Sequence, residues 1–191
     1  MKLSEPHYIP TSKLNTPMHY TDFVKQTILR LLWVLAGASI ALALALHVVR
    51  PADSTLLLAS LGGSTLFLFG LTTFPPTQPR ALFGGHLISA FIGVICYQLF
   101  GDAIWVMVIA VLITIAVLIL TKTVHPPAGA NPLIMISAHA GFVDIWTHVF
   151  AGVLVLALTT YLWSRLGIGQ VRYPVNWNQK SPPSDQWGIW H

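Results

Sequence analysis

The chain has 191 residues, of which 54% are hydrophobic and only 8% charged, with a net charge of +4. Water-soluble domains carry about 25% charged residues, so a water-facing globule is excluded; a mean hydropathy of +0.69 points to an integral membrane protein built as one compact bundle. The Lys and Arg residues stand singly at the ends of apolar runs, a topology pattern and not a nucleic-acid-binding patch.

Residues 1–24 are polar and Pro-containing, which predicts a cytosolic tail and not a signal peptide. A transmembrane domain follows over 25–166, with apolar segments at 31–49, 54–74, 81–100, 103–121, 126–143 and 145–163. Crossing about 30 Å of hydrocarbon takes about 20 residues, and five of these segments qualify. Segment 126–143 is short, opens Pro126-Pro127 and is interrupted by Asn131-Pro132, His139 and Gly141. With a cytosolic N-terminus and six crossings, nine of the ten cations fall inside and only Arg50 outside, with Asp53, Asp102 and Asp144. A re-entrant 126–143 would move Arg165, Arg172 and Lys180 outside and weaken that asymmetry, so six crossings with both termini cytosolic are expected. Residues 167–191 form a second, cytosolic or interfacial tail, in which Tyr173, Trp177, Trp187 and Trp190 suit the lipid interface; a partly disordered end is the alternative. The single Cys96 lies in an apolar run and forms no intrachain disulfide.

Six segments divide into three plus three, and the halves echo each other at Leu61–Phe69 and Pro127–Met135. An odd number of spans per half would invert the second copy, and interrupted helices at matching positions of inverted halves point to a transporter's binding site. The expected fold is all-α, with short or broken helices 2 and 5. Gly85, Ser89 and Gly93 in segment 3, and Gly37, Ala41 and Ala45 in segment 1, recur every four residues and predict close helix packing.

The stretch Thr121–Pro132 sets a cation, an imidazole and three prolines between two apolar segments. Irregular backbone at membrane depth survives only where protein buries it or it lines a cavity. Pro126 and Pro127 suit a first helical turn. The N–H groups of Ala128, Gly129 and Ala130 would then face a helix start that favours negative charge. Gly62 and Gly63 would expose backbone in the same way, with the Ser64 and Thr65 hydroxyls as added donors. His125 could donate to an anion or carry a proton beside it; the competing reading makes it a helix-end residue. Lys122 and Arg80 could form an electropositive mouth or serve as topology anchors. His86, one turn into segment 3, reads either as functional or as hydrogen-bonded to a neighbouring helix, and Asn131 either binds substrate or satisfies its own helix start. His47, His139 and His148 are expected near the outer face.

No metal-ligand spacing, nucleophile elbow or P-loop occurs, so no metal or cofactor is expected and an enzyme is disfavoured. A membrane-embedded enzyme using His125 and a membrane scaffold remain the alternatives. The expected partners are a small inorganic anion and membrane lipid, with no nucleic acid; a homo-oligomer is compatible with everything above.

His125-Pro126-Pro127 resembles the signature of the HPP family of integral membrane proteins. The resemblance also covers Gly62-Gly63-Ser64-Thr65, Gln78-Pro79-Arg80, Gly84-Gly85-His86-Leu87-Ile88-Ser89-Ala90, Gly93 and Ala128-Gly129-Ala130, over about residues 30–163. It departs at Asn131-Pro132, where the family favours a small or hydroxylated residue. What it implies is transport of a small anion, nitrite above all, since plant and cyanobacterial members are associated with nitrite transport. The location it implies is the plasma (inner) membrane of a bacterium or cyanobacterium.

Overall fold

The computed structural model describes residues 20–49, 57–167 and 170–185. The expected N-terminal tail up to residue 19, Arg50, Asp53, Trp187 and Trp190 lie outside them. The helices are α1 (Tyr20–Val49), α2 (Leu57–Gly70), α3 (Pro79–Phe100), α4 (Ile104–Thr121), α5 (Asn131–Ser137) and α6 (Phe142–Leu166). Two 3₁₀ turns, Pro75–Thr77 and Pro126–Ala130, precede α3 and α5, and residues Ile145–Phe150 of α6 are π-helical. By length and composition, α1, α3, α4 and α6 suffice to cross a membrane. The 14 residues of α2 rise only about 21 Å.

Two units compose the chain, one ending at Trp33 and the other beginning at Val34. In the first, the opening turns of α1 expose Ile28, Leu29, Leu31 and Leu32, and the Thr27 hydroxyl donates to the Phe23 carbonyl one turn back.

In the second unit polarity is reversed relative to a soluble protein. Helix α4 exposes Ile109, Leu112, Ile113 and Leu120, and buries Val106, Ala110, Thr114 and Leu118 at four-residue spacing. Both predicted small-residue stripes are interior: Gly37, Ala41 and Ala45 on α1, and Gly85, Ser89 and Gly93 on α3. On α3 the close approach is literal. A Cβ at Gly93 would stand 2.8 Å from the Pro132 Cα, and one at Gly85 would stand 2.8 Å from the His125 Cβ.

Segment 126–143 is not one helix. The Pro126–Ala130 turn passes into the seven residues of α5, which close at His139 in the left-handed conformation (φ 50°). There the His139 N–H donates to the Ile136 carbonyl and the Ala140 N–H to the Met135 carbonyl, the paired bonds of a Schellman ending. The segment nevertheless runs along most of α3. At one end Ala128 lies against Gly85 and, further on, Pro132 against Gly93; at the other, His139 stacks on Tyr97 with ring centroids 5.0 Å apart and meets Asp102 at 3.0 Å. It therefore traverses the bundle and does not turn back. Predicted span 54–74 likewise ends early, at Gly70. Beyond it, side chains of Thr77 and Gln78 hold the Thr72 carbonyl in a turn. Arg80, Lys122 and Arg165 gather at one end of this unit, hereafter the basic end, and Asp102 and Asp144 at the other.

Candidate functional site

The chain reaches the centre of the bundle through two forced conformations. Lys122 ends α4 in the left-handed region (φ 57°), with its N–H donating to Ile119 and the Thr123 N–H to Leu118. A non-glycine residue there costs about 1–2 kcal/mol, and the turn redirects the chain off the helix axis. His125 is then extended (φ −127°, ψ 105°), as a residue preceding proline prefers. Extended backbone aims its imidazole inward, over the Gly85 face of α3.

There it joins a buried polar cluster. Ser64 Oγ, on α2, lies 2.9 Å from His125 Nε2 and 2.8 Å from His86 Nε2, and 2.9 Å from its own helix's Ser60 carbonyl. His125 Nδ1 lies 2.7 Å from the Pro76 carbonyl. His86 Nδ1 lies 3.0 Å from Asn131 Nδ2, and the same amide donates to the His86 carbonyl at 3.1 Å. The Ser60 hydroxyl stands 3.4 Å from His86 Nδ1. The imidazole centroids are 5.1 Å apart, and the Phe67 ring meets His125 edge-on at 5.6 Å. Ser60, Ser64, His86, His125 and Asn131 are all at most 4% exposed. Groups from α2, α3, α5 and both 3₁₀ turns thus form one network, in which the Ser64 hydroxyl meets His86, His125 and the Ser60 carbonyl, while Asn131 and Pro76 hold the two imidazoles.

The remaining predicted site residues sit elsewhere in the local architecture. Gly62 and Gly63 lie inside α2, not at its start; Gly63 packs against Pro127, whose Cβ would be 3.1 Å from an added methyl. Thr65 turns its hydroxyl back to the Leu61 carbonyl. The Ala128 N–H is already used by the His125 carbonyl, so the 3₁₀ turn offers fewer free donors than an α-helical start. Gly129 is partly buried, Pro126 exposed and Pro127 partly buried. Arg80 caps α4 through the Thr121 and Lys122 carbonyls, a favoured place for a cation. Lys122 pairs with Asp185, which holds that exposed carboxyl below its usual range. Neither cation reaches the cluster. At the opposite end His139 meets Asp102, and His148 meets Asp144 at 3.2 Å; hydrogen bonding from His139 likewise lowers the Asp102 pKa. Among the described residues no three His, Cys, Asp or Glu side chains stand together as a metal would need.

The C-terminal segment is more than an interfacial tail, because residues 170–185 fold back over the basic end. Tyr173 is 1% exposed and its hydroxyl donates to the Thr77 carbonyl at 3.1 Å, while burial raises its pKa. The N–H groups of Val175 and Asn176 donate to Gln78 Oε1. Ser181 exchanges backbone bonds with Val124 and Lys122, and its hydroxyl donates to the Val124 carbonyl. This strap closes the cluster from that side. Sequence reasoning missed Ser60, Pro76, Thr77, Gln78 and Ser181. Ser60, one turn before Ser64, and Gln78, within the Gln78-Pro79-Arg80 motif, carried a usable signal; Thr77 and Ser181 carried none.

Comparison with known proteins agrees with this architecture. A profile of the HPP transmembrane region matches residues 24–174, through Tyr173 of the strap. Two transmembrane proteins of Dictyostelium discoideum are similar over 155 residues, at 30% and 25% identity, covering 76% of this chain in each case. The chain spans about half the length of these relatives, 50% and 54%. No solved structure matches it. With the profile covering most of the bundle and both of its short helices, the chain belongs to the HPP family of integral, multi-pass membrane proteins.

Proposed function

We propose that this protein moves a small monovalent anion across the membrane, with nitrite the first candidate, by way of the buried cluster around Ser64. The observation that carries the reading is the cluster itself. Five polar side chains meet where the short α2, α3 and the turn into α5 come together, inside a bundle whose outer surface is apolar. Burying that much polarity is costly unless it is hydrogen-bonded, and intramembrane ionisable groups usually mark a substrate or ion route. The hydroxyl, amide and imidazole groups there can donate hydrogen bonds, as an anion requires. Arg80 and Lys122 at the basic end supply a favourable approach potential. With the strap docked, the cluster is occluded from that end, so passage requires the strap or α2 to move. The preference for nitrite rests on the HPP resemblance; nitrate and formate are of similar size. The plasma (inner) membrane of a bacterium or cyanobacterium is the location that resemblance implies, and a fluorescent fusion in the native host tests it. Uptake by proteoliposomes containing only this protein is expected to exceed that of protein-free vesicles for at least one of the three anions. Equal uptake for all of them, or passage of cations only, would overturn the reading.

A second reading has one observation in its favour. Ser64 Oγ and His125 Nε2 are 2.9 Å apart, the separation of a nucleophile and its general base. Against a membrane-embedded hydrolase, His125 Nδ1 meets a backbone carbonyl instead of a carboxylate, and the Ser64 hydroxyl is shared with His86. Covalent labelling of Ser64 by a fluorophosphonate would favour the enzyme; no labelling is expected.

A further inference from the structure

We propose that Ser64 is a proton switch and that the anion travels with one proton held on His125. The inference rests on the transport reading above and adds a coupling ion to it.

The hydrogen-bond geometry assigns the protons. A carbonyl only accepts, so His125 Nδ1, facing Pro76 O at 2.7 Å, carries hydrogen, and Nε2 of the neutral ring is a bare acceptor. Asn131 Nδ2 is oriented as a donor by its bond to the His86 carbonyl, so His86 Nδ1 accepts. His86 Nε2 therefore carries hydrogen and donates it to Ser64 Oγ at 2.8 Å. Ser64 has one proton of its own and two acceptors at 2.9 Å, His125 Nε2 and the Ser60 carbonyl.

Two complete arrangements follow. In the neutral one, the Ser64 hydroxyl donates to His125. In the protonated one, His125 Nε2–H donates to Ser64, and the hydroxyl rotates to the Ser60 carbonyl. The ring N–H groups of both histidines and the Ser64 O–H are satisfied in both, and beyond the added proton only the Ser64 hydroxyl hydrogen moves. His86 has no such pair of states, because a proton on its Nδ1 would oppose the Asn131 amide and find only Ser60 Oγ, at 3.4 Å. His125 is thus the proton holder and Ser64 its positioning residue.

Coupling comes from the missing counter-charge. A buried charge requires a partner. The groups facing the pair are Ser60, Ser64 and Phe67 from α2, Asn131 from α5, and the Pro76 carbonyl; Tyr173 of the strap binds the neighbouring Thr77 carbonyl. Arg80 and Lys122 are engaged by α4 carbonyls and Asp185. Among the described residues no carboxylate contacts either imidazole, so the anion itself supplies the negative charge. On entry an O–H bond of hydronium breaks as one N–H bond forms at His125 Nε2; on exit that N–H bond breaks and the proton passes to water on the far side as the anion leaves. The balance is one proton and one monovalent anion, with no net charge moved.

The test uses full-length protein in vesicles with a trapped pH dye and voltage clamped by potassium and valinomycin. Nitrite is the probe, with nitrate in parallel because its strong acid does not cross lipid unaided. Expected are lumen acidification of one proton per anion above protein-free vesicles and a rate indifferent to voltage. Anion uptake that follows voltage without proton movement would overturn the switch while leaving the transport reading intact. No uptake of any anion would remove both. Ser64→Thr, which keeps the hydroxyl, is expected to retain coupling, and Ser64→Ala to slow coupled uptake about ten- to a hundredfold. Wild-type coupling in Ser64→Ala would overturn the assignment. ¹⁵N spectra of the anion-free protein near neutral pH should show His125 protonated at Nδ1 and bare at Nε2; the opposite tautomer would overturn it as well.

Discussion

His125 joins two elements, the Pro75–Thr77 turn through its Nδ1 and α2 through its Nε2. His125→Ala would take the imidazole donor from the partly buried Pro76 carbonyl, at a cost of about 1–3 kcal/mol, while the Ser64 hydroxyl keeps the Ser60 carbonyl and His86. The same loss felt in the limiting step slows uptake by about one to two decades. The measurement is anion uptake at equal levels of inserted protein; wild-type rates would show that the ring is only a helix-end residue. His125→Lys keeps a positive charge but cannot release its proton near neutral pH, so uptake should be lost; retained uptake with a flattened pH profile would mean simple attraction. His125, His86, Ser64 and Asn131 were each legible as candidates from residue type and position. Their joining in one network was not, because it depends on how α2 and α3 are laid side by side.

At the level of elements, α3 is the spine against which the irregular segment lies. Its small-residue stripe was readable from four-residue spacing, but the partner was not: an extended chain, a 3₁₀ turn and the short α5, not a second long helix, fill the groove. Gly93→Val forces a side chain against Pro132 backbone at 2.8–3.0 Å, and overpacking of this kind costs about 1–3 kcal/mol. A drop in thermal midpoint in detergent checks it; an unchanged midpoint would mean that α5 can slide away. Lys122 makes the opposite case. It holds a left-handed angle better suited to glycine, and its ion pair with the exposed Asp185 stabilises little. Lys122→Gly should raise stability by up to about 1 kcal/mol, read in the same melting experiment; a lower midpoint would give the Asp185 contact more weight than solvent screening allows.

Over the whole molecule, charge and closure share the basic end. The asymmetry of cations predicts that both termini face the cytosol. In a Cys96→Ala background, single cysteines at Thr21 and Asn178 should both label only from that side; opposite labelling would break the topology. The strap docks through Tyr173, and Tyr173→Phe removes one hydrogen bond worth about 1 kcal/mol, seen as faster proteolysis between residues 170 and 185. The strap is also expected to loosen in alkali. Burial raises the folded-state Tyr173 pKa, so its contribution is complete below the usual tyrosine value of about 10 and declines as pH rises above it. Tyr173→Phe should lose that pH response.

Composition and hydropathy were enough to determine a multi-pass helical membrane protein. Those properties follow from the cost of putting charge and unpaired backbone into hydrocarbon, a cost that each segment meets by itself. The proline-rich interruption also announced where regular structure would fail. Tertiary structure decided how the failure is used. The left-handed turn at Lys122, the extended His125 before Pro126 and the glycines of α3 bring four buried side chains around Ser64, and Gln78 gathers a strap from almost a hundred residues away. Hydrogen bonds between distant parts of the chain leave no periodicity along it, so only the folded arrangement discloses them.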